Sequence, residues 1–543
     1  MLTLLEFSAP TIDYAALAPF LIVIGAACVG VLVEAFVPKA WRHEVQTGLA
    51  VLALLGAIVT VVLQWGSADY GLIDPTGSSG SLLVDGPTQV FWLILLGFGL
   101  LGVLLFAERA AYGGATAFTS AAASIPGSRA EAEAAAARME HAEVFPLALF
   151  SLSGMLLFVA GNDLLVLFVA LEILSLPLYV LSALARHRRL GSQEAALKYF
   201  LLGAAASGIF LFGVALLFFY AGSFDLGVIA TAYATETGAD SLVLAGLGLM
   251  AVGLLFKVGA VPFHNWAPDV YQGAPTPVAG FMAVCTKVAA VAALLRVFYV
   301  ALGGALWTWR PLFVVVAIVT MVLGAVVGIV QTDVKRLIAY SSIAHAGFVL
   351  VGVAGAFVIL ETSADVATGA MSVAPGVGLG SVAAVAVYLI AYGFATLGVF
   401  ACVTLVQSQG REATDLASWS GLGRRHPWFG ATLIVTLLSL AGIPLTAGFV
   451  GKFAVFAAAW RGGLWWLVLV AILASVVAVY IYFRVIVVLF FRDPEPGSTV
   501  ELRIPGPATV VVLVLSVVGT LFIGLYPAPL TDALAKATTF LVP

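Results

Sequence analysis

Fourteen mostly apolar stretches of about twenty residues or more make up about two-thirds of this chain. They lie near 15–37, 46–66, 87–107, 143–161, 163–185, 195–221, 241–270, 276–302, 311–331, 336–360, 375–407, 427–460, 463–491 and 506–528. A helix of about 20 apolar residues crosses the hydrocarbon layer of a membrane, and inside that layer a chain must satisfy its own backbone polar groups. The expected fold is therefore an all-α polytopic membrane protein with about 14 transmembrane helices. Composition agrees: 62% of residues are hydrophobic and 10% charged, where soluble domains approach a quarter charged. The start, MLTLLEFSAPTIDY, lacks a basic region, so no cleavable signal is expected.

Lys and Arg favour cytoplasmic loops. One alternating set of loops holds Lys39, Arg42, Arg109, Arg129, Arg138, Arg186, Arg188, Arg189, Lys335, Arg336, Arg411, Arg424, Arg425, Arg492 and Arg503. The opposite set, with both termini, holds Arg310, Arg461 and Lys536. Both ends are thus expected on the outer side. Lys198, Arg296 and Arg484 lie near span ends, where they are expected to snorkel.

Two spans, the seventh and the twelfth, are too long for one crossing and are interrupted, by Pro262 and Pro444. Proline removes a helical hydrogen bond and clashes with the preceding turn, so both helices should break at mid-depth. Broken helices five spans apart cross in opposite directions, the pattern of two inverted five-helix repeats. The expected division is an N-terminal three-helix segment (1–108), a polar insertion (109–142), a first five-helix unit (143–303), a second (304–492) and a C-terminal helix (493–543). The insertion reads as a flexible loop followed by a short solvated helix, a spacer or a surface for a neighbouring chain.

Against this background Lys257, Lys287 and Lys452 stand out, each embedded in an apolar span, as does Glu172. A charge near the bilayer centre costs about 2.5–3.5 kcal/mol, so such groups default to function. Glu172 and Lys257 are expected to pair. At about 4 Å and an effective dielectric near 20, a pair gains about 4 kcal/mol. Moving one charge against about 150–200 mV costs roughly 3.5–4.6 kcal/mol, so making and breaking one pair suffices to drive one proton uphill. Lys287 reads as a relay and Lys452 as the exit-side group, with a capping charge beside Gly448 and Gly451 as its bland alternative. His264, seven residues after Lys257, would share its helical face. His345 continues a polar stripe from Ser341 and Ser342. Each histidine is a relay candidate or, equally, a neutral ring bonded to a carbonyl. Asp163, Asp269 and Asp333 sit at span ends and suit anchoring.

The cysteines Cys28, Cys285 and Cys402 are isolated, no C-x-x-C or Cys/His cluster occurs, and dinucleotide and phosphate-loop motifs are absent. No cofactor or metal is expected in this chain, and nothing suggests nucleic acid.

Four segments carry a resemblance: FKVGAVPFHNWAPDVYQGAPTPV, QTDVKRLIAYSSIAHAGF, LSLAGIPLTAGFVGKF and ALEILSLPLYVLSALARHRRLGSQEAALKYFLLGAAASGIFLFG. They resemble the antiporter-like membrane subunits of respiratory complex I, most closely the N-type branch, from about 85 to 492. The resemblance implies a proton-translocating membrane-arm subunit of an NADH–quinone oxidoreductase in a bacterial inner membrane. It places FMN and iron–sulfur clusters in partner subunits, quinone elsewhere in the complex, and K-type and M-type subunits as neighbours. Its key positions carry over as Glu172, Lys257, Lys287 and Lys452. One related subunit has glutamate at the last position, so Lys452 favours the N type. No long amphipathic helix follows the last span, which argues against the L type, and the 109–142 insertion departs from the pattern. The alternatives are a subunit of a multisubunit cation/proton antiporter or membrane-bound hydrogenase, or a purely structural subunit.

Overall fold

A computed structural model describes the chain from Thr11 to Phe540, except residues 68, 74–79, 120, 123, 126–127, 137–141, 188, 236–239, 357–378, 495–498 and 539. The basic residues Arg138 and Arg188, and the outer ends of the expected spans 336–360 and 375–407, lie outside the described residues.

Each of the fourteen stretches coincides with a helix or a broken pair. The helices are α1 (Ala18–Phe36), α2 (Lys39–Leu63), α3 (Gly86–Phe106), α4 (Arg129–Ala136), α5 (Val144–Ala160), α6 (Leu164–Ser182), α7 (Arg189–Ala221), α8 (Leu226–Thr235), α9 (Asp240–Val258) and α10 (Trp266–Gly273). Then come α11 (Thr276–Ala301), α12 (Leu306–Ile329), α13 (Val334–Ala354), α14 (Ser381–Leu405), α15 (Pro427–Ala441), α16 (Ala447–Arg461), α17 (Trp465–Phe491), α18 (Pro507–Leu525) and α19 (Ala528–Ala537). Among the described residues, twelve helices are long and apolar enough to cross a membrane. The other two expected spans are the shorter apolar α5 and the broken pair α15/α16. Asp163 and Asp333 fulfil their anchoring role as N-caps, accepting from Val166 N at 3.0 Å and Arg336 N at 3.0 Å. Asp269 anchors Arg336 at 2.7 Å and Lys198 at 3.0 Å.

Two small sheets sort the loops onto two ends. Thr11–Ile12 (β1), Asp69–Ile73 (β2) and Leu82–Val84 (β3) form one, and Leu82 bridges to Gly161. Val406–Ser408 (β4), Arg411–Glu412 (β5) and Val500–Leu502 (β6) form the other. Asp333 bridges to Asp415 beside it. The second sheet joins loops from the basic set, and the first joins loops from the opposite set.

Helices α11, α13 and α14 are buried along almost their whole length, whereas α1, α2 and α18 show much of their apolar surface. The groups α5–α11 and α12–α17 repeat one order of neighbours: α5 on α6, α6 on α7 and α7 on α9, then α12 on α13, α13 on α14 and α14 on α16. Close packing depends on small residues where backbones meet. A Cβ at Gly154 would lie 2.4 Å from Leu174 N, and one at Gly324 2.5 Å from Ala344 N.

Two expectations are overturned. Arg296 does not snorkel: it is buried on α11, paired with Asp85 at 2.6 Å and bonded to Thr88 at 2.8 Å. Pairing is what lets its guanidinium stay inside. The early part of the insertion is not a flexible loop. Thr119 N donates to Leu184 O at 2.8 Å, Arg186 N to Ala117 O at 2.9 Å, and the buried Arg189 holds the carbonyls of Ala121, Ala122 and Ser124. Carbonyls left free by irregular backbone have recruited arginines, which tie the strap down. The short helix expected after it is α4.

Candidate functional site

Both over-long spans break where expected, and each break sets a lysine. In the first, α9 ends at Val258, Gly259 turns left-handed at φ +79°, and the chain resumes as α10 at Trp266. The freed groups find partners: Trp266 Nε1 donates to Phe256 O at 2.8 Å, and Val261 N to Thr320 Oγ1 at 3.0 Å. Lys257, one residue from the helix end, projects among aromatic rings. Its Nζ donates to Tyr199 OH at 3.4 Å and lies 5.2 Å and 5.6 Å from the ring centres of Tyr199 and Tyr179.

The expected contact pair of Glu172 and Lys257 is not closed: among the described residues no ion pair joins them within 4.0 Å. Glu172 lies within electrostatic range of Lys257 and Tyr179, and its buried Oε1 has no hydrogen-bond partner among the described residues. Glu172, Ser175 and Tyr179 follow at helical spacing along α6, and the Tyr179 ring stands edge-on to Tyr199, centres 4.7 Å apart, beside the lysine.

His264 falls in the irregular stretch after Gly259, so it does not share a helical face with Lys257. Its buried Nδ1 has no partner among the described residues. The break that gives Lys257 its setting removes the histidine from its row.

Lys287 sits on α11 immediately after a π turn at Met282–Thr286. Such turns, which shift side-chain register, recur at functional sites. The Lys287 ammonium donates to Ser342 O and, at 2.7 Å, to Ser342 Oγ. It stands 5.0 Å from the Tyr392 ring centre, and Tyr392 OH donates to Ser342 Oγ at 2.8 Å. The stripe on α13 then leads to His345, whose ring is held by Tyr388 OH at 2.6 Å and Tyr482 OH at 3.1 Å. Ser341 Oγ meets Tyr482 OH at 2.5 Å. The Tyr271 hydroxyl lies near Ser342, and Tyr199 stacks on Trp266 with centres 4.7 Å apart.

In the second break α15 ends at Ala441, and Gly442 turns left-handed at φ +82°. Lys452 on α16 donates to Ala441 O at 2.7 Å and to Ser475 Oγ at 2.9 Å. Its ammonium also lies 5.0 Å from the Phe348 ring centre. A cation at the carbonyl end of a helix is favoured by the helix dipole, so capping is part of what Lys452 does. A cavity of about 10 Å³, room for about one water, lies between His345, Tyr388, Tyr392, Ser439 and Gly448 on the way to it.

The structure thus gathers Lys257, Lys287, His345 and Lys452 along one buried hydroxyl-rich line, places Glu172 at its edge, and leaves His264 aside. The tyrosines were passed over in the sequence, although Tyr388 and Tyr392, four apart in an apolar span, carry a readable signal. The π turn has none. Among the described residues no group of three or more His, Cys, Asp or Glu could hold a metal ion.

Buried ionisable groups at two helix breaks within a bundle of membrane-length helices define an ion-translocating membrane protein. A family model described as NADH:quinone oxidoreductase/Mrp antiporter, transmembrane, matches residues 161–364 and 362–478, and the chain belongs to that family. NADH-quinone oxidoreductase subunit N of Cutibacterium acnes is 49% identical over 99% of this chain and 97% of the relative. The subunit N of a Nocardioides species is 49% identical over 99% and 100%. Among solved structures, a chain of respiratory complex I from Thermus thermophilus superposes with a TM-score of 0.73 at 32% identity, covering 95% of this chain and 99% of that one. A chain of the Mrp complex from a Dietzia strain shares the fold, with a TM-score of 0.76 at 19% identity over 96% and 97%.

Proposed function

We propose that this chain is a proton-translocating membrane-arm subunit of a bacterial NADH–quinone oxidoreductase, a multi-pass translocase component that carries protons but no electrons. The observation that carries the reading is the buried line from Lys257 through Lys287 and His345 to Lys452, set by two broken helices. Hydroxyls spaced along it, with water in the gaps, supply the hydrogen-bonded steps that a proton requires. Glu172 biases Lys257 through its charge, and a closer approach of the two would complete the pair. The two five-helix units, inverted with respect to each other, would each contribute one break. Electron transfer, with its FMN and iron–sulfur clusters, belongs to partner subunits, and quinone binds elsewhere in the complex. K-type and M-type subunits flank the chain, and both termini face outward. The Mrp likeness is one of fold, whereas identity near one half favours the oxidoreductase reading over a stand-alone antiporter.

The test is Glu172→Ala and Lys257→Ala in the assembled complex. Coupled proton pumping and quinone reduction should both fall while assembly persists. Unchanged proton stoichiometry in both variants would remove these residues from the path. Flavin and iron–sulfur absorbance in the purified native assembly separates the oxidoreductase from an antiporter.

A further inference from the structure

One polar cavity lies outside the line described above. It measures about 30 Å³, room for about two waters, and lies at the end of the molecule that carries the basic loops. Its walls include Tyr112 from the insertion, Gln272 and Ala274 at the end of α10, Lys335 at the start of α13, and Glu412 on β5. Lys335 is buried. Its ammonium donates to Ala274 O at 2.7 Å and meets Glu412 Oε2 at 3.3 Å. Tyr112 OH donates to Glu412 Oε1 at 3.0 Å. Burial alone would push the Glu412 carboxyl up, but the Lys335 charge and the hydrogen bonds around it outweigh that and hold it below the usual carboxylate value. Burial, and then the Glu412 charge, push the Tyr112 phenol well up, so it stays a donor. Arg186, His187 and Arg411 also border the cavity.

The pair stands close to the buried line. Lys335 precedes Ser342 by seven residues on α13, the same face about 10 Å away along the axis, and Ser342 holds Lys287. Tyr271, three residues before Ala274, also lies near Ser342. A buried ammonium therefore has a water-sized cavity and a carboxylate behind it, and the partner of the central lysine ahead of it.

We propose that Lys335 and Glu412 form the loading gate of the line, taking protons one at a time from water in this cavity. This rests on the reading of the line as a proton path. Lys335 releases its proton inward, through water toward Tyr271 and Ser342. Glu412 takes a proton that the cavity water relays from the bulk, the water being left neutral, and passes it to the neutral Lys335 amine. One proton enters as one leaves, and the ion pair is restored. The insertion thereby gains a role, since its Tyr112 positions the carboxylate that faces the cavity.

The test uses the assembled complex in vesicles, with NADH-driven proton uptake read against quinone reduction. Glu412→Gln should lower pumping at least tenfold and Tyr112→Phe about two- to threefold, with Glu412→Asp recovering most of it. Pumping at the native level in Glu412→Gln, while Lys287→Met abolishes it, would overturn the gate and leave the line standing. Native pumping in Lys287→Met would remove the line and the gate with it. A second measurement does not depend on those variants assembling. Gln272→Cys should react with a membrane-impermeant maleimide added from the basic-loop side, read on the peptide from this chain, and failure to react there would overturn the gate.

Discussion

The two helix breaks solve one problem in different ways. Each frees a carbonyl at mid-depth that cannot be left bare. At the first break a tryptophan does the satisfying: Trp266 takes Phe256 O, and Lys257 is left with a long hydroxyl contact and two aromatic faces. At the second break the lysine itself does it, with Lys452 donating to Ala441 O and Ser475 Oγ. Lys257 is therefore mechanically free and Lys452 is built into the scaffold. An ammonium with no strong acceptor gives up its proton without breaking structure, whereas one that caps a helix must exchange partners to do so.

The largest effect that separates the two should come from replacing each lysine by methionine. Lys452→Met leaves Ala441 O without its charged donor and should cost about 1.5–3 kcal/mol, seen as a lower melting temperature of the assembled complex and less of it in the membrane. Lys257→Met should abolish coupling with assembly at the native level. Equal assembly of the two variants would erase the contrast. Next, Trp266→Phe removes one of the two donors to Phe256 O, Gly259 N at 3.1 Å being the other. It should destabilise by about 1.5 kcal/mol, measurable in the same melting experiment, with Lys257 chemistry retained. Gly442→Ala should cost about 1–2 kcal/mol for the left-handed turn. Its Cβ would also fall 2.7 Å from Lys452 Cδ, so coupling should drop with stability. The smallest change is expected for Ser475→Ala, about 1 kcal/mol, and a larger loss there would mean that Ser475 rather than Ala441 holds the lysine.

Much of this was legible in the sequence. Apolar runs gave the twelve membrane-length helices among the described residues, because in hydrocarbon length and composition leave few choices. Pro262 and Pro444 gave the breaks, because a missing N–H has a local cost. The three lysines announced themselves by the expense of burying them. What failed were statements about direction. The shared face for His264 assumed an unbroken helix, and an irregular turn intervened. The Glu172–Lys257 contact assumed that two different helices bring these groups together, and they stay within electrostatic range without meeting. Arg296 was misplaced because its partner, Asp85, is over two hundred positions away. The Lys335–Glu412 pair was invisible for the same reason: a span start and a β-strand meet only in three dimensions.

The Arg296–Asp85 pair limits how the centre of the molecule can move. Both groups are wholly out of water, and separating them would strand a buried charge at a cost of about 3–5 kcal/mol. Axial sliding of α11 would have to meet that cost. The helix is thus nailed at one end, with Lys287 roughly 13 Å along it, so this lysine works as a swinging arm on a fixed rod. Any signal that reaches it must arrive sideways, from α13 or α14, and not along its own axis.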